Sequence, residues 1–477
     1  MSQVRKSFFN MSWLMISQLI TSVCAFVWTI LVARYLGVSG NGILAFAISV
    51  TGIFTIATDL GISTHIVRKI ATDYDIASKY LGNAIPLKSI FSAFAFFGLF
   101  IILIFLNVDK LTILVTLLFA IEMVFKSMCG LFNGLFQAVE KGKYQAIGNI
   151  LLSVILLVFI LISIFSDFGI IGISISYIIS NIIIFFYLYY SLKKQVAIPK
   201  YELDKDFCIK LTKVSLPFAL YALFHTIYYS IDITMLTILV GDYASGLYNA
   251  SYKLINVLTL FYSIYTAVIF PVMSKLYKNN EGLLNMSFEK SVKYLLFITI
   301  PIATFTSIFA QDIIVLFYGH PYVLASSILT ILIWTVSLLF INGACSILLN
   351  ASYKEVSVTK IYGAAAVFNV ILNFILIPHF SYDGAAFATV LSDVLILILA
   401  LYVLRKVGYS PRRSLLRDIS KIILASVILA IVLYYLNLSL FVGLAIGVIV
   451  YLIVLFLLRI VDDDDKYIAN QILGRNK

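Results

Sequence analysis

Charged residues are scarce in this chain of 477 residues. Only 12% of them are Asp, Glu, Lys or Arg, whereas 62% are hydrophobic. An ordinary soluble domain has about 25% charged residues, and the mean hydropathy of +1.04 lies far on the apolar side. We therefore expect the chain to lie in a lipid bilayer rather than in water.

Cysteine and histidine are also rare, with four residues of each type. The cysteines lack Cys-x-x-Cys spacing and the histidines are scattered, so neither a disulfide framework nor a metal site is indicated. No nucleotide-binding loop of the Gly-x4-Gly-Lys-Ser/Thr type is present, which argues against ATP as the direct energy source. We expect no cofactor.

Long apolar runs fill most of the sequence. A membrane-spanning helix needs about 20 mostly apolar residues, and about fourteen segments qualify. The first is too long for a signal-peptide core and lacks a small-residue cleavage site, so we expect a retained helix. The spans are residues 10–33, 42–62, 84–106, 112–138, 145–165, 169–192, 213–240, 246–272, 291–311, 323–350, 359–378, 384–404, 415–436 and 439–460.

The basic residues alternate with these spans. If the N-terminus is cytoplasmic, 30 of the 34 Lys and Arg residues fall on the cytoplasmic side, as the positive-inside rule requires. This pattern predicts a multi-pass protein of the cell membrane with both termini in the cytoplasm. The net charge of +11 then reflects topology and attraction to anionic lipid, and does not indicate nucleic-acid binding.

The second half of the chain repeats motifs of the first. Residues 159–169 (FILISIFSDFG) and 374–384 (FILIPHFSYDG) are identical at seven of eleven positions. Gln137-Ala-x-x-Lys141 recurs as Asn350-Ala-x-x-Lys354, and Gly37-x4-Gly42 recurs as Gly241-x4-Gly246. Duplicated halves around a polar site near the membrane midplane are typical of secondary transporters. The repeat therefore predicts a carrier.

The predicted outer connections are very short, and the longest, around residues 311–322, carries little besides Asp312 and His320. They leave no room for an extracellular catalytic domain, so we do not expect an enzyme.

Several spans carry polar residues at helical spacing. On the seventh span, four side chains at i, i+4, i+7 and i+11 share one face, and three on the eighth form a second stripe. Such stripes suit a polar cavity, although membrane helices also use polar residues to bind one another. The residues are Tyr221, His225, Tyr228 and Asp232 on the seventh span, and Asn249, Lys253 and Asn256 on the eighth.

The other charges within spans each leave two interpretations open. Glu122 and Lys126 lie at i, i+4 and suit either a functional site or a structural ion pair. Asp393 suits a proton carrier or a cap for a partner helix. Arg34 lies near a helix end, where its side chain can reach the membrane surface. Asp232 and Lys253 suit a cavity or an ion pair with one another.

Four motifs of the chain resemble the polysaccharide flippases of the multidrug/oligosaccharidyl-lipid/polysaccharide exporter superfamily. They are Val32-Ala-Arg-Tyr-Leu-Gly37, Asp59-Leu-Gly-Ile-Ser-Thr64, Arg68-Lys-Ile-Ala71 and Gln137-Ala-Val-Glu-Lys-Gly-Lys-Tyr144. The resemblance implies an all-α membrane protein with two six-helix lobes in a V shape, followed by two C-terminal helices. The implied parts are an N-terminal lobe at 1–192, a cytoplasmic linker at 193–212, a second lobe at 213–406, and two further helices with a tail at 407–477.

The resemblance also implies a function, which is movement of a lipid-linked oligosaccharide from the inner to the outer leaflet by ion-coupled alternating access. Lys253, Arg34 and Lys126 would then attract the diphosphate linker, and Asp232, Glu122 or Asp393 would bind the coupling ion. Membrane lipid is an implied partner, as is a glycan polymerase or glycosyltransferase.

One departure and several alternatives accompany this interpretation. Related lipid II flippases carry charges midway along the first span, whereas residues 10–33 contain none, so another glycan is favoured. A multidrug or cation antiporter of the same superfamily would share the fold but usually has twelve spans. A major-facilitator carrier is disfavoured because residues 63–82 lack its Gly-Asp-Arg signature, and a membrane glycosyltransferase is disfavoured by the short outer connections.

Overall fold

The computed structural model of the protein describes residues 3–106, 108–196, 198–279, 281–409, 412–460 and 465. Within these ranges the chain is helical and contains no β-strand. The α-helices are α1 Gln3–Asp59, α2 Ile62–Thr72, α3 Ala77–Phe105, α4 Lys110–Ala138, α5 Gly142–Phe165, α6 Gly169–Gln195, α7 Lys205–Leu239, α8 Asp242–Asn279, α9 Glu281–Ile308, α10 Ala310–Tyr318, α11 Ala325–Leu332, α12 Trp334–Ala351, α13 Glu355–Lys406, α14 Arg413–Leu436 and α15 Leu440–Leu457.

In the described part of the chain, eleven helical segments are long and apolar enough to cross a membrane. α1 and α13 each break once, at Gly37 and Ser381, and each therefore contains two of the predicted spans. α8 covers the predicted eighth span. The all-helical membrane fold predicted from composition is confirmed.

The repeated motifs adopt the same backbone turns in both halves. Glu140 and Tyr353, which precede the two repeated lysines, both have positive φ, at 55° and 57°. Gly37 and Gly241, which open the repeated Gly-x4-Gly motif, also lie at positive φ, where glycine is favoured because it has no Cβ. The sequence repeat is therefore also a repeat of local structure.

The chain forms two compact units. The first contains residues up to Lys253 together with Ala366–Ala385, and the second contains Leu254–Ala365 and the residues from Ala386 onward. The two units are defined by the helices that contact one another in this structure, whereas the predicted lobes are defined by the sequence repeat. The lobe and linker boundaries therefore stay a prediction.

A large apolar core of the first unit surrounds α2, a short helix whose two faces differ. Ile62, Ile66 and Ile70 are buried against apolar residues of α3, α4, α6 and α7. Arg68 and Lys69 lie on the opposite, exposed face. α2 is therefore amphipathic, which suits a helix lying along a membrane surface rather than across it.

The second unit contains a buried group of charges in the first half of α9. Lys293 Nζ lies 2.6 Å from Asp465 Oδ2 and 3.2 Å from Asp418 Oδ2, and it donates to the Ile460 carbonyl at 2.8 Å. Lys290 also pairs with Asp465, at 2.7 Å. Two carboxylates surround the buried ammonium group of Lys293, as a charge removed from water requires.

Candidate ion and substrate sites

Asp232 is the centre of a buried polar group in the first unit. It lies near the end of α7, where its side chain is 3% exposed. Its carboxylate accepts hydrogen bonds from the Tyr248 hydroxyl at 2.8 Å and from Asn373 Nδ2 at 2.5 Å. Asn373 Nδ2 also donates to Asn369 Oδ1, one helical turn away on α13, at 3.0 Å. Three helices thus converge on one carboxylate.

Two amide atoms of this group have no hydrogen-bond partner among the described residues. They are Asn369 Nδ2 and Asn373 Oδ1, and both asparagines are fully buried. A buried polar atom without a partner is costly and commonly marks the position of an ion or water. Asn373 Oδ1 and the Asp232 carboxylate together offer oxygen ligands of the kind that hard cations prefer.

Asn249, which is predicted to line a cavity, joins helices beside this group. Its Nδ2 donates to Asn41 Oδ1 at 3.1 Å, and Asn41 Nδ2 donates to the Gly246 carbonyl at 3.1 Å. Ser49 and Thr234 share a further hydrogen bond at 2.8 Å. These bonds link α1 to α7 and α8 within the first unit, as polar residues in membranes often do.

Glu122 forms a second buried carboxylate site, on α4. Its Oε1 accepts from Asn181 Nδ2 at 3.0 Å and lies 3.7 Å from Lys126 Nζ. Glu122 is buried, whereas the Lys126 side chain is 59% exposed. The predicted i, i+4 pair is therefore present, with its cationic end directed away from the packed interior.

Lys253 on α8 lies within electrostatic range of Lys126 on α4. It is half-buried on α8, and Asn256, one turn further on, is exposed. Arg34 is exposed near the end of the first part of α1. The fold thus brings Glu122, Lys126 and Lys253 into one region of the first unit.

The side chains of the predicted stripe on α7 differ in exposure along the helix. Tyr221 and His225 are exposed, whereas Tyr228 and Asp232 are buried. Neighbouring rings continue the stripe, since His225 lies 6.1 Å from Tyr221 and 4.7 Å from Tyr229 between ring centroids. The stripe therefore runs from exposed side chains at Tyr221 and His225 to the buried carboxylate of Asp232.

Asp393 lies in the second unit. It is buried on the second part of α13, and its main-chain carbonyl accepts from Asn342 Nδ2 at 3.0 Å. Asp393 therefore belongs to a different unit from Glu122 and Asp232, which both lie in the first unit.

Sequence reasoning missed the asparagines that complete these sites. Asn369 and Asn373 lie at i, i+4 in an apolar span, which is a signal that the sequence did offer. Asn181 is a single amide among apolar and hydroxyl residues and gave no such pattern. Its role depends on α4 and α6 packing together.

More than half of the chain matches a family model. The model of the family described as "Polysaccharide biosynthesis protein" matches residues 8–277, which is more than half of the chain. The chain belongs to this family. The resemblance inferred from the motifs is thereby confirmed. A second model, described as "Lipid II flippase MurJ", matches residues 230–456.

Two uncharacterized membrane proteins of Methanocaldococcus jannaschii are similar to the chain. One is 32% identical over 168 residues, which cover 35% of this chain and 32% of that protein. The other is 24% identical over 418 residues, which cover 83% of this chain and 97% of that protein. The second relative thus matches nearly end to end.

Solved structures of two kinds share the fold. A lipid II flippase MurJ in an inward closed conformation superposes with a TM-score of 0.75 at 18% identity, over 92% of this chain and 97% of that one. An inward-facing multidrug resistance MATE family transporter of the MOP superfamily gives 0.69 at 15% identity, over 82% and 96%. At such identities the likeness establishes the fold.

Proposed function

We propose that this protein moves a lipid-linked oligosaccharide of the polyprenyl-diphosphate type from the inner to the outer leaflet of the cell membrane. Membership of a polysaccharide biosynthesis family and the flippase-like fold support this function. Each sugar hydroxyl would lose hydrogen bonds worth roughly several kcal/mol in hydrocarbon, so spontaneous transfer is negligible. A protein with polar surfaces inside the membrane removes most of that barrier.

The observation that carries the proposal is the pair of lysines near Glu122. Two ammonium groups, at Lys126 and Lys253, lie within electrostatic range of one another, and the carboxylate of Glu122 pairs with Lys126 at 3.7 Å. Because the lysines repel one another, an anion bound there relieves the repulsion. A diphosphate linker supplies such an anion, and Arg34 is a further candidate to bind it. The exposed Tyr221 and His225 would contact the sugars through their rings.

The Asp232 group is the proposed ion-coupling site. A proton on the carboxylate, or a sodium ion held by Asp232 and Asn373 Oδ1, would neutralise a buried charge that is otherwise costly. Either ion would change how α7, α8 and α13 bind one another at this point. Glu122 and Asp393 are the alternative coupling residues.

Topology and partners follow from the same proposal. The lysine-rich connections face the cytoplasm, where polyprenyl-diphosphate oligosaccharides are assembled, and both termini lie on that side. The protein acts as a transporter and not as an enzyme. A glycan polymerase or glycosyltransferase would use the product on the outer face.

The test is transfer of a fluorescent lipid-diphosphate oligosaccharide between the leaflets of proteoliposomes. Lys253→Ala should slow transfer about ten- to a hundredfold, because a hydrogen bond to a charged group contributes about 1.5–3 kcal/mol. Lys253→Arg should retain most of the rate. Lys110→Ala removes an exposed lysine outside the spans and should have no effect. Equal transfer by Lys253→Ala and the wild type would refute the role of Lys253.

Coupling is tested in the same vesicles with proton and sodium gradients imposed separately. Asp232→Asn should abolish the response to one gradient while gradient-free exchange continues. Asp312→Asn, at an exposed carboxylate, serves as the control. The MATE-like fold favours one second candidate, efflux of organic cations. Gradient-driven cation efflux without oligosaccharide transfer would replace the flippase proposal with that function.

A further inference from the structure

Residues 198–204, here called the strap, connect α6 to α7 and are fixed to the start of α3. Ser78 Oγ donates to the Ile198 carbonyl at 2.6 Å, and the Lys200 amide donates to the Ser78 carbonyl at 3.4 Å. At the other end, the Asp204 amide donates to Asn83 Oδ1 at 2.9 Å. The strap is therefore held at its beginning, middle and end.

Close packing reinforces these hydrogen bonds. A Cβ at Gly82 would overlap the Lys200 carbonyl, so only glycine admits the strap at this point of α3. Phe207, just after the strap, packs edge-on against Tyr80 with ring centroids 4.9 Å apart. Lys79 lies over the same Phe207 ring at 5.2 Å. This part of the predicted linker is thus an ordered element of the first unit.

Three apolar or aromatic side chains of the strap are exposed, beside the exposed Lys200 and Glu202, and the Tyr201 hydroxyl shares a hydrogen bond with that of Tyr189. Ile198, Tyr201 and Leu203 are 69%, 56% and 59% exposed, whereas Pro199 between them is buried. They lie outside the membrane-spanning helices, where a soluble face would be expected to carry polar side chains. Since the backbone is bound to α3, these side chains cannot turn inward without breaking the strap's hydrogen bonds.

Exposed lysines lie within the strap and on both sides of it in the sequence. Over residues 193–213 there are six lysines and three carboxylates. Of the carboxylates, Asp204 accepts from the Phe207 amide at 3.1 Å and caps α7, which leaves Glu202 and Asp206 as the other opposing charges. The lysines are Lys193, Lys194, Lys200, Lys205, Lys210 and Lys213, and all are exposed.

We propose that the strap binds the surface of an anionic phospholipid leaflet. Ile198, Tyr201 and Leu203 enter the boundary between headgroups and acyl chains, and the lysines contact the lipid phosphates. Apolar side chains among lysines form such surfaces, and each lysine near an anionic leaflet strengthens binding. Because α7 begins at Lys205, the bound strap holds the start of the helix that carries Asp232. This inference does not depend on the transported substrate.

The test places an environment-sensitive dye on Leu203→Cys in the full-length protein. The protein is reconstituted in phosphatidylcholine alone or mixed with phosphatidylglycerol, and quenching by nitroxide-labelled lipid is compared with quenching by aqueous iodide. With phosphatidylglycerol present, the dye should be quenched by the lipid and shielded from iodide. The ratio of lipid-bound to water-exposed dye should fall about fivefold for each lysine removed in Lys200→Gln, Lys205→Gln and Lys210→Gln.

Phe168→Cys is the matched control, since Phe168 is 60% exposed in a short connection without lysines. Its dye should give the same ratio in both lipid mixtures. Wild-type protein, in which Cys129, Cys208 and Cys345 are buried and Cys24 is half-buried, measures background labelling. A Leu203→Cys dye that stays open to iodide in phosphatidylglycerol, or lysine variants that leave the ratio unchanged, would overturn the proposal. A surface for a partner protein would give that first result.

Discussion

Gly42 and Asp242 meet backbone to backbone. A Cβ at Gly42 would overlap the main-chain carbonyl oxygen of Asp242, and a Cβ at Gly246 would overlap that of Val38. Gly42 and Gly246 each close one copy of the repeated Gly-x4-Gly motif. The two copies therefore pack against one another in the first unit, as small residues allow membrane helices to do.

Substitution at this crossing should separate α1 from α8. We expect Gly42→Ala to lower the thermal unfolding temperature in detergent and to reduce transport, because a methyl group forced against backbone costs about 1–3 kcal/mol or more. Gly52→Ala is the control, since a Cβ at Gly52 would meet nothing within 4 Å. If both variants unfolded at the wild-type temperature, the close contact would not contribute to stability.

The buried lysine of α3 should depend on its carboxylate partner. Lys88 is 1% exposed, and its Nζ pairs with Asp59 and donates to Ser63 Oγ at 2.9 Å. Asp59→Asn should destabilise the protein by about 3–5 kcal/mol, because it leaves a buried charge unpaired. The double variant with Lys88→Met should recover part of this loss. Denaturant unfolding measures both, and a double variant less stable than Asp59→Asn would contradict the pairing.

Stability should depend on pH through Asp242, the first residue of α8, which precedes the predicted span at 246–272. Burial, followed by the negative charge of Asp109, raises the pKa of the Asp242 carboxyl, and the Thr112 hydroxyl at 3.4 Å opposes this rise. A raised pKa means that the folded protein binds the proton more tightly than the unfolded chain. The stabilisation is complete below the unfolded pKa of about 3.9 and is lost as the pH rises through the folded pKa.

Asp242→Asn should therefore unfold at a higher temperature than the wild type at neutral pH, and the difference should shrink as the pH falls. Asp109→Asn should give a smaller gain, because it removes only the charge repulsion. Unfolding temperatures recorded across the acid and neutral range provide the measurement. Parallel curves for the wild type and Asp242→Asn would show that Asp242 does not titrate differently on folding.

A single substitution in the buried charge group of the second unit should lower the stability of the protein. Lys293→Met leaves Asp418 without its 3.2 Å partner and removes one of the two lysines that pair with Asp465. We expect a loss of about 3–5 kcal/mol, measured by denaturant unfolding. Lys275→Met, at an exposed lysine, should change stability little. A loss of the same size in both variants would point to a general effect of lysine removal.

Some structural relationships could be predicted from the spacing of residues along the chain, without any knowledge of the fold. Glu122 and Lys126 are one helical turn apart, so a helix brings them together, and they lie 3.7 Å apart. The repeated motifs predicted matching segments, and they form matching turns. Asp59 belongs to a family motif, but its partner Lys88 is 29 residues away on another helix, so spacing could not reveal the pair.

The sequence by itself determined the membrane location, the spans and the repeat, because the hydrogen bonds of a helix join residues only four positions apart and the bilayer sets its length. The tertiary structure decided which polar groups meet. Asp232 receives one of its hydrogen bonds from Asn373, 141 residues away, and the strap lies on Gly82 of α3, more than 100 residues earlier in the chain. Such contacts depend on how whole helix faces pack, and the residues next to each partner in the sequence do not reveal that packing.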